Sequence, residues 1–206
     1  MNLLGPLEVW RDGDPVAVPS GNQSVALAVL AVAAGRPVDV PTLARYVWGD
    51  EPPRRVPGAV QSIVLRLRHL LGASAIVTVR QGYALDTDPD AVDVHRFRRL
   101  VTADRLDDAL ALFDRLEKQQ KPPRYRLLGH MGRAIVLALQ SRAKESNDLF
   151  RAIAHPRPQA KVVRPDNLQW MWQEKAWSYW VRKALQCNHQ NGVPLEDIPQ
   201  SMRRLL

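Results

Sequence analysis

The 206-residue sequence contains a single cysteine, Cys187, so no disulfide bond can form within the chain. The absence of cysteine pairs is typical of a reducing cytoplasm, which is the location we expect. The longest uninterrupted apolar run, Val25–Ala34, has ten residues and is too short to span a bilayer. The first residues form neither a basic flank nor a long apolar segment, so we expect no secretory signal and no membrane partner.

Lysine is absent from the first 117 residues, and all six lysines lie between Lys118 and Lys183. The net charge of +8 is uneven as well. Residues 1–112 carry twelve arginines and thirteen acids, a net charge of −1, whereas residues 113–206 carry eleven arginines, six lysines and eight acids, a net charge of +9. This change in composition suggests two segments with different histories. The turn-forming residues Asp86–Asp90 are typical of a linker, and we predict domains over residues 1–91 and 92–206.

The sequence also lacks the motifs of common enzymes: we find no glycine-rich phosphate loop, no nucleophile elbow and no metal-binding helix motif. The five histidines show no metal-ligand spacing, and the run Cys187-Asn188-His189 lacks the other ligands that a zinc site needs. We therefore predict a protein that is not an enzyme and that needs no metal ion or other cofactor.

One predicted helix, Pro57–Leu71, organises the N-terminal half. Pro57 suits the first helical position and Gly72 suits the stop. Its apolar stripe, at helical spacing, is Val60, Val64, Leu67 and Leu71, with Ile63 and Leu70 beside it. Its other face is Gln61, Ser62, Leu65, Arg66, Arg68 and His69, without a carboxylate. Such a face suits an anionic partner such as DNA, although an ordinary solvated amphipathic helix is the alternative.

Strands and shorter helices are predicted around this helix. In chain order they are a hairpin of Leu3–Trp10 with Val16–Val18, a helix Gln23–Ala34, an extended link Val38–Val40, a helix Pro41–Trp48, and a hairpin of Ile76–Arg80 with Tyr83–Leu85. The last two helices and the second hairpin predict a helix-turn-helix with a wing, in which the second helix enters the major groove. On the wing, Thr78, Arg80 and Gln81 are able to hold phosphate oxygens.

Five short motifs in this half resemble the DNA-binding domain of the SARP family, the antibiotic regulatory proteins of actinomycetes. The motifs are Ala33–Val38, Val47–Asp50, Arg66-Leu67-Arg68 with Leu71-Gly72, Gly82-Tyr83 and Asp93–Phe97. The resemblance covers about residues 2–116. It implies an α+β fold for the N-terminal domain, an OmpR-like winged helix-turn-helix with antiparallel strands, three helices and a wing hairpin, followed by an all-α helical domain.

The resemblance also implies a transcriptional activator that binds direct repeats near promoters and touches RNA polymerase through the loop before the recognition helix. The residues that we expect to contact double-stranded DNA are Gln61, Ser62, Leu65, Arg66, Arg68, His69, Thr78, Arg80 and Gln81. The candidates for polymerase contact are Glu51, Arg54 and Arg55. The C-terminal helices would set either dimerisation or the geometry of these contacts, so a homodimer is among the expected assemblies.

Several positions depart from the family pattern. Asn22 and Ser24 replace the Lys and Arg that often begin the first helix, and Ile63 and Leu65 occupy positions where a polar pair is common. Leu65 either touches a thymine methyl group or marks reduced affinity. These departures, with the near-neutral N-terminal half, favour the alternative of a protein-interaction module or decoy regulator with weakened DNA binding.

The C-terminal half is predicted to be helical. The predicted segments are Val92–Thr102, Asp104–Gln119, most of Tyr125–Ile153, a helix through about Gln186, and a last short helix within Pro194–Leu206. Four tryptophans lie between Trp170 and Trp180, either as core residues or as a platform for bases or a partner. The basic run His155–Arg164 is either a solvated connection or a phosphate contact.

Overall fold

The computed structural model of the chain describes residues 1–4, 7–117, 123–154 and 175–206. It divides into two compact units, Met1–Arg99 and Leu100–Leu206. Each unit has its own buried apolar residues. Among the helices described, none is long and apolar enough to cross a membrane.

The first unit begins with short strands and continues with three helices and a hairpin. The elements are β1 Val9–Arg11, β2 Asp14–Val16, α1 Asn22–Ala33, β3 Val38–Asp39, α2 Val40–Trp48, α3 Val56–Leu71, β4 Ile76–Val79 and β5 Gly82–Leu85. The strands β1 and β2 form an antiparallel hairpin, and a separate three-stranded antiparallel sheet has the order β3-β5-β4. The order of helices and hairpins is consistent with the predicted winged helix-turn-helix.

The inner face of α3 anchors the core of the first unit. Val60, Val64 and Leu67 are buried in one cluster with Leu30 of α1 and Leu43 of α2. Burying each large aliphatic side chain contributes about 1.5–3 kcal/mol relative to leaving it exposed. The 3.6-residue spacing of these side chains therefore fixes the rotation of α3 about its axis and determines which of its residues face solvent.

The predicted first strand, Leu3–Trp10, is wrong for most of its described length. Only its last two residues lie in β1, although Glu8 forms an isolated bridge with Asn2. The backbone N–H groups of Leu3 and Leu4 instead donate to the buried Asp93 carboxylate, with N···O distances of 2.7 Å for Leu3 and 3.2 Å for Leu4. The N-terminal segment is thus held in place by the side chain of Asp93, which lies 90 residues further along the chain than Leu3.

The second unit is helical in its described residues. Its helices are α4 Asp93–Thr102, α5 Leu106–Glu117, α6 Pro123–Leu139, α7 Ala143–Ala154, α8 Lys175–Gln190 and α9 Gln200–Arg203. The division between the two units falls within α4. A 3₁₀ turn at Pro89–Ala91 precedes α4. The helix α6 packs against α5, α7 and α8. The predicted helical stretch Tyr125–Ile153 is broken between α6 and α7, where Ser141 adopts a φ of 61°.

Buried polar side chains tie three of these helices together. The Ser146 hydroxyl donates to the carbonyl oxygen of Ala134 over 2.7 Å and accepts from Nδ2 of Asn188 over 2.9 Å. Ser146 and Asn188 are fully buried, so these hydrogen bonds offset the cost of taking the Ser146 hydroxyl and the Asn188 Nδ2 group out of water. The predicted basic run His155–Arg164 and the side chains of three of the four clustered tryptophans lie outside the described residues.

Candidate nucleic-acid interface

The outward face of α3 carries most of the predicted DNA contacts. Ile63, which the apolar spacing placed beside the buried stripe, is only 7% exposed and packs in the core. The exposed residues are Gln61, Ser62, Leu65, Arg66 and His69.

Charge is distributed one-sidedly along this part of the chain. From Pro52 to Leu85 the sequence holds five arginines and neither aspartate nor glutamate, whereas Glu51 and Asp86 flank the stretch. The stretch includes α3 and the β4–β5 hairpin. Arginines without acids between them attract a polyanion from a distance, although salt screens this attraction.

Arg66 and Arg68 lie in different environments although both belong to the predicted DNA contacts. Arg66 is exposed, and no described residue pairs with its guanidinium group. Arg68 is half-buried and turns towards the hairpin. Its Nε and Nη2 donate to the carbonyl oxygen of Ile76 over 2.8 Å and 2.6 Å, and Nη2 also donates to Oγ1 of Thr78 over 2.8 Å.

The hairpin presents the remaining predicted DNA contacts. Thr78 is exposed at the face of β4, but its hydroxyl oxygen already accepts from Arg68. Arg80 and Gln81 form the exposed turn between β4 and β5. Their side chains therefore point from the tip of the hairpin, where a nucleic-acid backbone would meet them.

One carboxylate, on Asp39 of β3, lies near the turn end of the hairpin, because Asp39 pairs with Gly82. Asp39 caps α2, because its Oδ1 accepts from the backbone N–H of Thr42 over 2.7 Å. Hydrogen bonds from Thr42, first from its side chain and then from its backbone, lower the pKa of the Asp39 carboxyl. This anion is thus stabilised at the positive end of a helix and does not pair with Arg80.

The loop between α2 and α3 carries the predicted polymerase contacts. Glu51, Arg54 and Arg55 are all exposed, and the two arginines directly precede α3. Tyr46 on α2, which the sequence analysis did not select, is 55% exposed, and the Arg45 guanidinium lies 5.5 Å from its ring centroid. Because α2 ends in Tyr46, Val47 and Trp48, the sequence alone did not mark Tyr46 as the exposed residue among them.

Two features of the described residues of the second unit bear on ligand binding. Within the described ranges no group of three His, Cys, Asp or Glu residues is placed to hold a metal ion. Tyr179 and Trp180 of α8 meet edge to face, with ring centroids 5.2 Å apart, and Trp180 is half-buried. The predicted DNA contacts thus lie on α3 and the hairpin, and the predicted polymerase contacts lie on the loop before α3.

Comparison with known proteins places this surface in a family context. No family model matches the sequence. Regulatory protein AfsR from Streptomyces coelicolor is 35% identical over 102 residues, which cover 49% of this chain and 10% of AfsR. Regulatory protein DnrI from Streptomyces peucetius is 34% identical over 111 residues, which cover 48% of this chain and 41% of DnrI.

Transcriptional regulatory protein EmbR from Mycobacterium tuberculosis is 35% identical over 101 residues, covering 46% of this chain and 26% of EmbR. The chain thus spans less than half the length of each of these relatives. A solved structure of Mycobacterium tuberculosis EmbR in complex with a low affinity phosphopeptide has a TM-score of 0.49 at 23% identity, covering 98% of this chain and 62% of that chain. These relatives are regulators of the SARP family, which confirms the resemblance over about half of the chain.

Proposed function

We propose, from the premise that about half of this chain is homologous to SARP-family transcription regulators, that the chain is a sequence-specific DNA-binding transcriptional activator. The observation that carries the proposal is the stretch Pro52–Leu85, which includes α3 and the β4–β5 hairpin and bears five arginines and no acid. The buried apolar face of α3 keeps its polar face turned to solvent, which is what groove recognition requires.

In the proposed complex α3 lies in the major groove. Arg66 reads a guanine through its N7 and O6 acceptors, the commonest specific contact between arginine and a base. Gln61, Ser62 and His69 supply adaptable polar contacts from the neighbouring turns. Arg80 holds a phosphate from the hairpin, a contact that fixes the register of the protein without reading sequence.

We further propose that residues 1–91 form the DNA-binding domain and that 92–206 form a helical domain. Activation would require direct repeats near a promoter, which place two copies of the chain side by side in the same orientation. Glu51, Arg54 and Arg55 would then touch RNA polymerase. Support for this part comes from the family resemblance and from the exposure of all three side chains.

A protein-interaction module or decoy regulator is the second candidate. It is favoured by the near-neutral first unit, in which eleven arginines face ten acids over residues 1–99. The 53% exposure of Leu65 in the centre of the outer face of α3 favours it as well. An apolar side chain there would suit a protein surface if no DNA were bound.

Fluorescence anisotropy of the full chain tests the proposal. We expect binding to a labelled promoter duplex with direct repeats and weaker binding to the same duplex with scrambled repeats. Each phosphate contact predicts that affinity falls about 3.5-fold when monovalent salt rises from about 50 to about 200 mM. Absence of binding to either duplex would contradict the proposal and favour the interaction module.

Leu65 allows a prediction about base identity. Its neighbours one turn away on α3 are polar, so it is the apolar contact on the outer face among the described residues. We expect it to lie against the 5-methyl group of a thymine. Replacing that thymine by deoxyuridine removes one methyl group and should lower affinity about fourfold, the equivalent of about 0.8 kcal/mol.

The matched measurement uses Leu65→Ala. If the contact is made, the variant loses affinity for the thymine duplex and no longer distinguishes thymine from deoxyuridine at the same position. Replacing each thymine of the repeat in turn identifies that position. Equal discrimination by wild type and variant at every position would show that Leu65 does not read a methyl group.

A further inference from the structure

The guanidinium group of Arg68 is committed to the protein itself. Its three hydrogen bonds run from Nε and Nη2 to the Ile76 carbonyl oxygen and the Thr78 hydroxyl. A bidentate contact with guanine would have to compete with these bonds, because it uses two N–H groups of the same planar fork. Arg66, two residues earlier, has no such commitment to a described residue.

The bonds of Arg68 end on the strand that most needs support. In the three-stranded sheet β4 is an edge strand, because β5 lies between it and β3. Ile76 pairs with Leu85 and Thr78 with Tyr83, so β5 holds one side of β4. In the described part of the chain no further strand pairs with the other side, and the guanidinium group donates to a carbonyl oxygen there instead.

Arg80 follows directly after β4 and lies two residues beyond Thr78. The position of its side chain therefore depends on where β4 lies relative to α3. We propose that Arg68 is a positioning residue, which fastens β4 to the C-terminal turns of α3 and thereby sets the distance from the helix in the groove to the phosphate held by Arg80. This inference rests on the proposed DNA binding and assigns Arg68 a role different from that of Arg66.

A double-mutant cycle with the full chain tests the coupling. We expect Arg68→Ala and Arg80→Ala each to lower affinity for the direct-repeat duplex about fivefold. If Arg68 acts through Arg80, the double variant also loses only about fivefold, whereas independent contacts would multiply to about 25-fold. The salt dependence of binding gives a second test. In each single variant and in the double variant, the magnitude of the slope of log affinity against log salt concentration should fall by about 1, because the same phosphate contact is lost in all three.

The control cycle pairs Arg66→Ala with Arg80→Ala. Arg66 does not bond to the hairpin, so its effect should multiply with that of Arg80. Lysine at position 68 keeps the charge but not the fork, and Arg68→Lys should therefore behave like Arg68→Ala. A multiplicative loss in the Arg68 cycle, or full rescue by lysine, would overturn the positioning role.

Amide hydrogen exchange of the free protein gives a reading without DNA. Loss of the hydrogen bonds from Arg68 to Ile76 and Thr78 should speed exchange of the Val77–Arg80 amides about tenfold in Arg68→Ala. The rate should not change in Arg66→Ala. Unchanged exchange in Arg68→Ala would overturn the inference. If the wild-type chain binds no duplex, both the proposed function and this inference are wrong. If the wild-type chain binds but the losses of affinity in Arg68→Ala and Arg80→Ala multiply in the double variant, only the inference is wrong.

Discussion

Replacement of Gly82 by alanine is expected to abolish specific DNA binding, although Gly82 is not itself one of the predicted DNA contacts. Gly82 begins β5 and pairs with Asp39 of β3. A Cβ atom at this position would meet the Val38 carbonyl oxygen and would lie 2.7 Å from the carbonyl carbon of Val38 and 2.8 Å from Cα of Asp39. All three are backbone atoms, so no side-chain rotation can relieve the clash.

The backbone would have to separate β3 from β5, which holds the rest of the hairpin. Overpacking of this kind typically costs about 1–3 kcal/mol, and the lost ladder hydrogen bonds add to it. We expect a large fall in the melting temperature by circular dichroism and loss of selectivity in the anisotropy assay, since Arg80 is displaced together with the hairpin.

The matched control is Gly58→Ala on α3. No atom lies within 4 Å of a Cβ at Gly58, and its helical backbone suits alanine. Alanine should therefore leave binding unchanged and stabilise the chain by up to about 1 kcal/mol. A Gly82→Ala variant that melts and binds like wild type would show that β3 and β5 do not approach as closely as described.

This example also shows why the sheet was only partly predicted. The turn and the alternation of Ile76–Arg80 predicted the hairpin, because a tight turn leaves a local signature. The partner strand β3 has only two residues and was treated as an extended link. Gly82 was assigned to the turn, whereas its requirement comes from the close approach of a segment more than forty residues away, which no local pattern reveals.

The helix α3 was predicted to within one residue, since it begins at Val56 rather than at Pro57. Its apolar spacing is a local record of the core that it buries. The same spacing could not separate the roles of Arg66 and Arg68. A side chain that donates to a backbone carbonyl of another element leaves no trace in the sequence, because every residue offers such a carbonyl.

The contact between the two ends of the first unit is a further feature that the sequence did not predict. Apolar Leu3 and Leu4 suggested a strand, yet their backbone N–H groups are satisfied by Asp93. In the helical unit, apolar periodicity predicted α6 and α7 as helical, but the break at Ser141 has neither glycine nor proline to announce it. Contacts between distant segments decide both features, and composition does not record them.

Replacement of Arg66 by alanine is expected to have the second large effect, a loss of selectivity rather than of stability. The exposed guanidinium group has no partner in the described residues, so its removal should leave the melting temperature nearly unchanged. Loss of a bidentate guanine contact should lower affinity for the direct-repeat duplex about ten- to hundredfold, the equivalent of about 1–3 kcal/mol. Affinity for the scrambled duplex should fall much less.

Arg66→Lys distinguishes base reading from a phosphate contact, because lysine keeps the charge but lacks the planar fork. We expect lysine to restore only part of the preference for the direct repeats. Full recovery of that preference, or an equal loss of affinity for both duplexes in Arg66→Ala, would mean that Arg66 only neutralises the backbone. When both Arg66 and Arg68 are replaced by alanine, the base contact of Arg66 and the hydrogen bonds from Arg68 to β4 are lost together. Specific binding should then be abolished.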